Sequence, residues 1–412
     1  MRIGFDVRMM QTKGTSATRG IGRYTTDLLE GLLAFYPEDR LVLLAMAGRP
    51  VPHGWAERCE VVEVGGEALH EAERPWHLHK VPKVRSMPFF VDRWQEGVVA
   101  GHRRAFERAV NGAGLDVMYF STALDVAVYP EGDLRPPVVA TFLDAIPLVH
   151  REEYYDAWPP LLRRMYDRQL ANLKVMAALI AISETSRQDA IRFAGLSPDR
   201  VRVVYPAVAP AFAAPVEAAR KAEARSKLGL DAPYVLFCSA PDPHKNAPRV
   251  VAAFAKARKG LPTGAKLAFI APSEFRPMLT EEAASVGLEP EALVVTGRIT
   301  DEEVVALFQD ALCLVSPSLI EGFGLPAAQA LAAGTPAIAT DHGSLAEVVG
   351  EAGLRVDPKD VDAIARAMVQ ATDAETRATL VARGHARAPL FSPEGQARGV
   401  RAIFEEVALA TR

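Results

Sequence analysis

The sequence has few cysteines and no long hydrophobic run. Its three cysteines, Cys59, Cys238 and Cys313, are far apart and odd in number, which argues against a disulfide framework or a zinc site and fits a reducing cytoplasm. The absence of any run of about 18 apolar residues predicts no membrane-spanning helix. The N-terminal residues MRIGFDVRMM lack the layout of a signal peptide. We therefore expect a cytoplasmic protein, and attachment to the inner face of the membrane stays open.

The sequence also lacks an excess of positive charge. Acidic residues outnumber basic ones 51 to 47, which gives a net charge of −4, and this disfavours nucleic acid as a partner. Hydrophobic residues make up 49% and aromatic residues 7% of the chain, a composition typical of a packed globular protein. A chain of 412 residues exceeds one ordinary core, so two domains are expected.

Short apolar runs alternate with longer amphipathic stretches along the whole chain. Runs of this length that are apolar on both faces are typical of buried parallel strands. The runs are residues 2–7, 41–46, 117–121, 138–146, 179–183 and 201–206 in the first half, and 234–239, 266–271, 293–297, 311–316 and 336–340 in the second. The stretches between them have helical spacing, so the pattern predicts an α/β protein with two doubly wound, Rossmann-like domains.

A segment rich in proline and alanine, residues 206–225, marks the predicted domain boundary. We expect an N-terminal domain over 1–206 and a C-terminal domain over 207–390. The last stretch, 391–412, is predicted to contain a helix that crosses back to the first domain.

The segment 316–358 contains the strongest candidate site. It reads as a strand end, a turn with two glycines and a helix that begins near Leu325. Glycines let the backbone approach a ligand closely, and the amides at the start of a helix attract an anion. A diphosphate is therefore expected on these amides, although a plain strand-to-helix turn explains the glycines equally well. The candidate residues are Glu321, Gly322, Phe323, Gly324 and Leu325.

This segment resembles the nucleotide-sugar signature of the retaining glycosyltransferases of family 4 (glycosyl transferases group 1). That family carries two glutamates separated by seven residues, the first in a Glu-Gly-Phe-Gly-Leu-Pro context, which stands here at 321–326. The similarity continues through 334–336 and 357–358. The resemblance implies the GT-B fold, in which two Rossmann-like domains face a central cleft. It also implies a transferase that uses a nucleotide-sugar donor as substrate, with no metal and no further cofactor.

The resemblance assigns roles to single residues of the second domain. Glu321 would contact the donor sugar, and Gln329 stands where the second glutamate would bind the ribose hydroxyls. Lys245 holds the position of a lysine that neutralises the leaving diphosphate, while His244 stands where the family often has an arginine. Arg298 is either a phosphate partner or a surface residue.

The segment 19–29, RGIGRYTTDLL, is the candidate site of the first domain. Gly20 and Gly22 are expected to precede a helix, either as a plain turn or as a loop that faces the donor, and Arg23 is a candidate partner for phosphate or for an acidic acceptor. The Gly-Ile-Gly-Arg-Tyr string is similar to mannosyl- and rhamnosyltransferases of the same family. GDP-mannose is therefore the first expectation for the donor.

Two further segments of the first domain resemble the family. In 138–150, Asp144 matches the aspartate of a His-Asp pair at the active site, but Leu143 replaces the histidine. In 179–195, Ser183 is expected to cap a helix. The stretch 75–104 is basic and aromatic, which suits an anionic membrane or a lipid-linked acceptor but also suits a solvated loop.

These residues together predict a retaining hexosyltransferase that acts on a glycan or lipid-linked acceptor in surface polysaccharide synthesis. The changes at Leu143, Gln329 and His244 leave an alternative open, a weak or inactive relative that binds nucleotide or a partner enzyme. A nicotinamide dehydrogenase is poorly supported, because no Gly-x-Gly-x-x-Gly loop follows the first strand.

Overall fold

The computed structural model describes residues 1–11, 20–66, 104–124, 134–239 and 242–411. The chain divides into two compact units, Met1–Tyr205 with Gln396–Arg412, and Pro206–Gly395. The division falls one residue before the predicted boundary, and residues 391–395 belong to the second unit rather than to the crossing segment. None of the helices in the described ranges combines the length and the apolar character that a bilayer crossing requires.

The first unit is built on a parallel sheet of seven strands in the order β3-β2-β1-β4-β5-β6-β7. The first strand lies in the middle of this sheet. The next two strands extend the sheet on one side of β1, and the last four extend it on the other side, which is the doubly wound arrangement. The strands are β1 (Arg2–Asp6), β2 (Arg40–Ala47), β3 (Glu60–Gly66), β4 (Val117–Phe120), β5 (Val138–Phe142), β6 (Ala178–Ala181) and β7 (Val201–Val203).

Helices connect these strands. They are α1 (Gly20–Phe35), α2 (104–112), α3 (Pro160–Asn172) and α4 (Glu184–Ala194). Helix α1 buries Tyr24, Leu28 and Leu29 against the sheet, as its spacing predicted. It begins at Gly20, so Gly20 and Gly22 lie in its first turn and do not precede it. Ser183 caps α4 as predicted, because its side chain accepts a hydrogen bond from the Ser186 amide.

The second unit repeats the plan with six parallel strands in the order β10-β9-β8-β11-β12-β13. The strands are β8 (Tyr234–Cys238), β9 (Lys266–Ile270), β10 (Leu293–Val295), β11 (Cys313–Ser316), β12 (Ala337–Thr340) and β13 (Gly353–Val356). The helices are α5 (Ala218–Lys227), α6 (Ala247–Ala257), α7 (Arg276–Ser285), α8 (Asp301–Asp310), α9 (Leu325–Ala333), α10 (Gly343–Val349), α11 (Val361–Gln370) and α12 (Ala374–Arg387).

Local sequence signals set the starts of these helices. Thr300 and Glu303 form a reciprocal capping box at the start of α8, and the acidic first turn complements the helix dipole. Pro326 stands in the first turn of α9, where a missing amide costs nothing. The stretch between the apolar runs 293–297 and 311–316 is therefore a helix, as its spacing predicted.

The final helix, α13 (Pro393–Thr411), joins the first unit from Gln396 onward. The Phe404 ring lies 5.3 Å from that of Tyr119, and Arg401 Nε lies 2.6 Å from Asp39 Oδ2. Asp39 is only 2% exposed at its side chain, so this ion pair ties the helix to the loop before β2.

Candidate active site

The candidate site of the second unit lies where its sheet changes direction. From β8 the chain builds β9 and β10 on one side, and then returns to place β11 on the other side of β8. In open parallel sheets the carboxyl ends of two such strands leave a crevice that binds ligands. Lys245 ends the short turn Pro243–Lys245 after β8, and Glu321 follows β11. The fold thus brings two predicted site residues to the same crevice.

Lys245 and Glu321 form an ion pair. Lys245 Nζ lies 2.6 Å from Glu321 Oε2, and the side chains are 18% and 12% exposed. The second carboxylate oxygen, Oε1, accepts a hydrogen bond of 2.8 Å from Ser318 Oγ. Because both oxygens have a donor, the carboxylate is fixed in orientation. Ser318 was missed at the sequence level, although it stands three residues before Glu321 in the same loop.

Asn246 holds the loop that carries Lys245 in place through hydrogen bonds to two other loops. Its backbone adopts the left-handed conformation with φ of 66°, which asparagine tolerates better than most residues. Its side chain is buried, and Nδ2 donates to the carbonyl oxygens of Pro317 at 2.9 Å and Pro358 at 2.7 Å. One amide therefore joins the loop after β8 to the ends of β11 and β13. The sequence analysis missed this residue.

The loop that carries Glu321 is also held from β12 and α10. Ser344 Oγ donates to the Glu321 carbonyl oxygen at 2.8 Å, and Thr340 Oγ1 donates to the Ser318 carbonyl oxygen. The Leu319 amide donates to the His244 carbonyl oxygen at 2.7 Å. These hydrogen bonds connect the loops after three neighbouring strands, so the ion pair sits on a rigid support.

The predicted glycine turn leads directly into α9. Gly324 has φ of 98°, and a Cβ there would come within 2.4 Å of Leu345 Cδ2. Phe323 is 4% exposed and packs edge-on against Phe391, with the ring centroids 5.6 Å apart. The amino end of α9 therefore opens at the carboxyl edge of the sheet beside Glu321, where the dipole and the first amides favour an anion. Phe323 contributes its backbone there, while its ring belongs to the core.

The other predicted residues of the second unit lie at different distances from this pair. Gln329 is half-buried and stands one turn after Leu325 on the same face of α9. His244 is half-buried in the turn of Lys245. Arg298 is exposed and follows β10, which β9 separates from β8. Two strand spacings amount to about 10 Å, so Arg298 is the most remote of the set.

The predicted residues of the first unit lie at helix α1 and at the end of β5. Gly22 is buried in the first turn of α1, and Arg23 Nε stands 3.7 Å from Asp27 Oδ2. Asp144 Oδ1 accepts a hydrogen bond of 3.1 Å from the Ile146 amide. The carbonyl oxygen of the preceding Leu143 accepts from Ser186 Oγ at 2.7 Å, which joins the end of β5 to α4.

Two titratable groups near Asp144 have perturbed pKa values that the sequence did not indicate. Burial raises the pKa of Asp189 to about 6, with the Asp144 carboxylate adding to the shift and Arg192 opposing it. Burial also raises the pKa of Tyr166, and Asp144 and Asp189 contribute. The Tyr166 hydroxyl is buried without a hydrogen-bond partner among the residues of the described ranges.

The basic and aromatic stretch 75–104 lies outside the described residues except for Arg104. Its predicted contact with a membrane or a lipid-linked acceptor therefore stays a prediction.

Comparison with solved structures defines the class of protein. A sucrose-phosphate synthase from Thermosynechococcus elongatus superposes with a TM-score of 0.73 at 20% identity over 99% of each chain. HepE of Anabaena, solved with UDP and glucose, superposes with a TM-score of 0.70 at 16% identity over 98% of this chain and 100% of that one. Together with the two parallel sheets, these likenesses define a protein with the GT-B fold.

Two family models together cover most of the sequence. The model "Glycosyltransferase Family 4" matches residues 18–212, and the model "Glycosyl transferases group 1" matches residues 220–386. The chain belongs to the group 1 glycosyltransferases of family 4, as its signature segment predicted.

Several related sequences are mannosyltransferases by name. The serotype-specific mannosyltransferase WbdA of Escherichia coli is 31% identical over 405 residues, which are 95% of this chain and 46% of that protein. The MMP alpha-(1->4)-mannosyltransferase of Mycolicibacterium hassiacum is 25% identical over 87% of this chain and 89% of that protein. The chain thus spans less than half the length of WbdA.

Proposed function

We propose that this protein transfers a hexose, with mannose from GDP-mannose as the first candidate, to a glycan or lipid-linked acceptor in polysaccharide synthesis. The observation that carries the proposal is the ion pair of Lys245 and Glu321 in the crevice between β8 and β11, beside the amino end of α9. The mannosyltransferase names of the relatives and the string Gly-Ile-Gly-Arg-Tyr at 20–24 support mannose.

In this proposal the diphosphate of the donor binds at the amino end of α9. The amides near Phe323, Gly324 and Leu325 would face its oxygens, and Gln329 on the same face of α9 would hydrogen-bond the ribose hydroxyls. An ammonium has three donors, so Lys245 can keep its contact with Glu321 and still donate to a phosphate oxygen. Glu321 would then accept hydrogen bonds from the hydroxyls of the sugar.

The reaction exchanges one bond at the anomeric carbon for another. The bond from the anomeric carbon to the phosphate oxygen breaks, and its electron pair stays on the diphosphate. Lys245 and the dipole of α9 would stabilise that charge without a metal. The acceptor oxygen forms the new bond and loses its proton, which we assign to the departing phosphate oxygen. Retention of configuration follows in the proposal from family membership and requires the acceptor to approach on the face of the leaving group.

Donor binding can be tested by thermal unfolding with GDP, UDP, ADP and dTDP. A ligand that binds the folded state alone raises the midpoint by mass action, so GDP should produce the largest rise. Release of GDP from GDP-mannose, with and without candidate glycan acceptors, then measures turnover. A protein whose midpoint moves with none of the four nucleotides would contradict the proposal.

Variants of the ion pair separate its role from simple stability. Lys245→Ala and Glu321→Gln should each lower turnover by about 100-fold or more, the usual cost of removing one group that stabilises transition-state charge. Lys256→Ala is the matched control, because Lys256 pairs with Asp362 at 2.7 Å on the exposed surface of the same unit. The control should turn over donor at the wild-type rate.

A second candidate is a nucleotide-binding relative without turnover. It is favoured by the uncharged Gln329 at the expected second glutamate and by Leu143 at the expected histidine. This candidate predicts a rise of the midpoint with a nucleoside diphosphate but no release of GDP or UDP from any nucleotide-sugar. Measured turnover that depends on Lys245 would exclude it.

A further inference from the structure

The amino-terminal edge of the first sheet carries a strongly basic cavity. Helix α2 and the residues that lead into β5 border a space of about 430 Å³ that is open to solvent. We call it the arginine cavity; its lining residues are Arg104, Glu107, Arg108, Asn111, Gly112 and Arg135. Asp144 follows the other end of β5, so the arginine cavity lies away from the predicted active-site edge of this unit.

Three positive charges meet at this cavity. Arg104, Arg108 and Arg135 are exposed, and none of them forms an ion pair with another residue of the described ranges. Among the lining residues that the structure describes, the single carboxylate is that of Glu107, which is buried, so this part of the lining has an excess of positive charge. The whole chain has a net charge of −4, so the positive charge of the cavity is local. Such a site favours an anionic ligand.

An apolar groove of about 240 Å³ adjoins the cavity. Arg135 lines both spaces, so they are neighbours at that residue. The groove is lined mainly by Leu134, Pro136, Pro137, Val138, Val175 and Met176. Val175 is 60% exposed, and Leu409, on the same last turn of α13 as the groove residue Thr411, is 68% exposed. Exposed apolar side chains beside these three cations make an amphiphilic surface.

We propose that the arginine cavity and the apolar groove bind the anionic surface of a lipid bilayer, with a headgroup phosphate in the cavity and the start of an acyl chain in the groove. Arginine matches phosphate oxygens with its planar fork of donors. The apolar groove favours a lipid over a nucleic acid. A nucleic acid would require a longer row of cations and would not use an apolar groove. The inference goes beyond the proposed transfer reaction, because it assigns a surface rather than a substrate.

Vesicle flotation of the full chain tests the surface. Phosphatidylcholine vesicles with roughly one third phosphatidylglycerol should carry the protein at about 0.1 M salt and much less of it at about 0.5 M, where exposed charges are screened. Pure phosphatidylcholine vesicles should not carry it. Since each basic residue near an anionic surface contributes roughly fivefold to partitioning, the triple variant R104Q/R108Q/R135Q should bind about 100-fold more weakly. V175N should weaken binding through the groove alone, because it removes exposed apolar surface without adding a charge.

The matched control removes the same number of charges elsewhere. Arg220, Lys259 and Arg366 are exposed residues of the second unit, and R220Q/K259Q/R366Q should bind vesicles like the wild type. Equal weakening in both triple variants, or no binding of the wild type to anionic vesicles, would overturn the proposal. Binding of the wild type to duplex DNA at the same salt with the same loss in R104Q/R108Q/R135Q would also overturn it, in favour of a nucleic acid.

Nucleotide binding, measured on the same samples, separates this inference from the proposed function. The midpoint shift with GDP should be the same in R104Q/R108Q/R135Q as in the wild type. If no nucleotide shifts the wild type but vesicle binding depends on the three arginines, the proposed function fails and the membrane surface stands.

Discussion

Glu321 and Lys245 were candidate residues from the sequence, but the residues that hydrogen-bond to them and to their loops were not. The signature around Glu321 repeats a recognisable string, and a lysine after a strand of the same sheet completes it. Ser318 and Asn246 act through hydrogen bonds to Oε1 of Glu321 and to carbonyl oxygens of other loops. Such contacts depend on which strands are neighbours, and no local pattern of residues encodes that order.

Asn246 is expected to position Lys245. Asn246→Gly keeps the left-handed backbone without strain but removes both hydrogen bonds from Nδ2, so Lys245 should lose its fixed place against Glu321. We expect turnover of the donor to fall by roughly 10-fold, which corresponds to about 1.4 kcal/mol, with most of the loss in kcat. Steady-state kinetics on purified protein measures this split.

The conservative change Asn246→Asp tests the same role through charge. An aspartate cannot donate to the carbonyl oxygens of Pro317 and Pro358 and would place a buried anion against them, so it should be the more harmful of the two variants. A purely structural role would lower the midpoint of unfolding in both variants and leave the kinetics of the remaining folded protein unchanged.

Asp189 should make the stability of the first unit depend on pH. Its pKa is raised to about 6 in the folded state, against about 3.9 in an unfolded chain. The folded state then binds the proton more tightly, so stability is full below about pH 4 and falls as pH rises toward about 6. Asp189→Asn should be more stable than the wild type at pH 7 by about 1 kcal/mol, a value reduced for the partial exposure of this group.

Urea unfolding at about pH 4 and about pH 7 measures this dependence. The two proteins should differ at pH 7 and converge at pH 4, where Asp189 is protonated. A difference of the same size at both values would mean that burial of the carboxylate is not the cause.

At the scale of elements, the central strands and the edge strands β7 and β10 were predictable, but the other two edge strands were not. A strand such as β8 or β11 is buried on both faces and therefore apolar throughout. The sequence analysis missed β3 and β13, which stand at the edges of their sheets. Their exposed residues, such as Glu63 and Arg355, break the apolar run on which the prediction depended. The start of α1 was also misplaced, because its glycines were taken as a turn before the helix although the helix begins at Gly20.

The turn before α9 should be intolerant of any side chain at Gly324. Gly324→Ala would impose a positive φ on alanine and drive its Cβ to 2.4 Å from Leu345 Cδ2, at a cost of about 2–4 kcal/mol. Gly343→Ala is the control, because Gly343 also has a positive φ, of 64°, but its Cβ would meet open space. The control should cost about 1 kcal/mol.

Chemical unfolding of the two variants measures the difference, and nucleotide binding shows its consequence. Gly324→Ala should weaken the midpoint shift with GDP, since Leu345 and the backbone at the amino end of α9 must move. Equal losses of stability in both variants would show that the close approach to Leu345 does not contribute to the cost of Gly324→Ala.

At the scale of the whole molecule, two doubly wound units could be predicted from the alternation of strands and helices, with a boundary one residue from the observed one. A helix that crosses back to the first unit was predicted for the last stretch, but its anchors were not. The contact of Phe404 with Tyr119 and the pair of Arg401 with Asp39 join residues more than 250 positions apart. No local pattern specifies such pairings.

This division allows the two units to be observed separately. All four tryptophans, Trp55, Trp76, Trp94 and Trp158, precede residue 206, so tryptophan fluorescence reports on the first unit, while far-UV circular dichroism reports on both. Phe404 is fully buried, and Phe404→Ala should lower the free energy of unfolding seen by fluorescence by about 3–5 kcal/mol. Leu409→Ala, at a site 68% exposed on the same helix, should change the free energy of unfolding by less than about 0.5 kcal/mol.

Because the proposed donor site uses residues of the second unit, the GDP-dependent shift of the unfolding midpoint seen by circular dichroism should survive in Phe404→Ala. Loss of that shift together with the fluorescence change would mean that the units unfold as one body, and that the last helix supports the donor site as well as the first sheet.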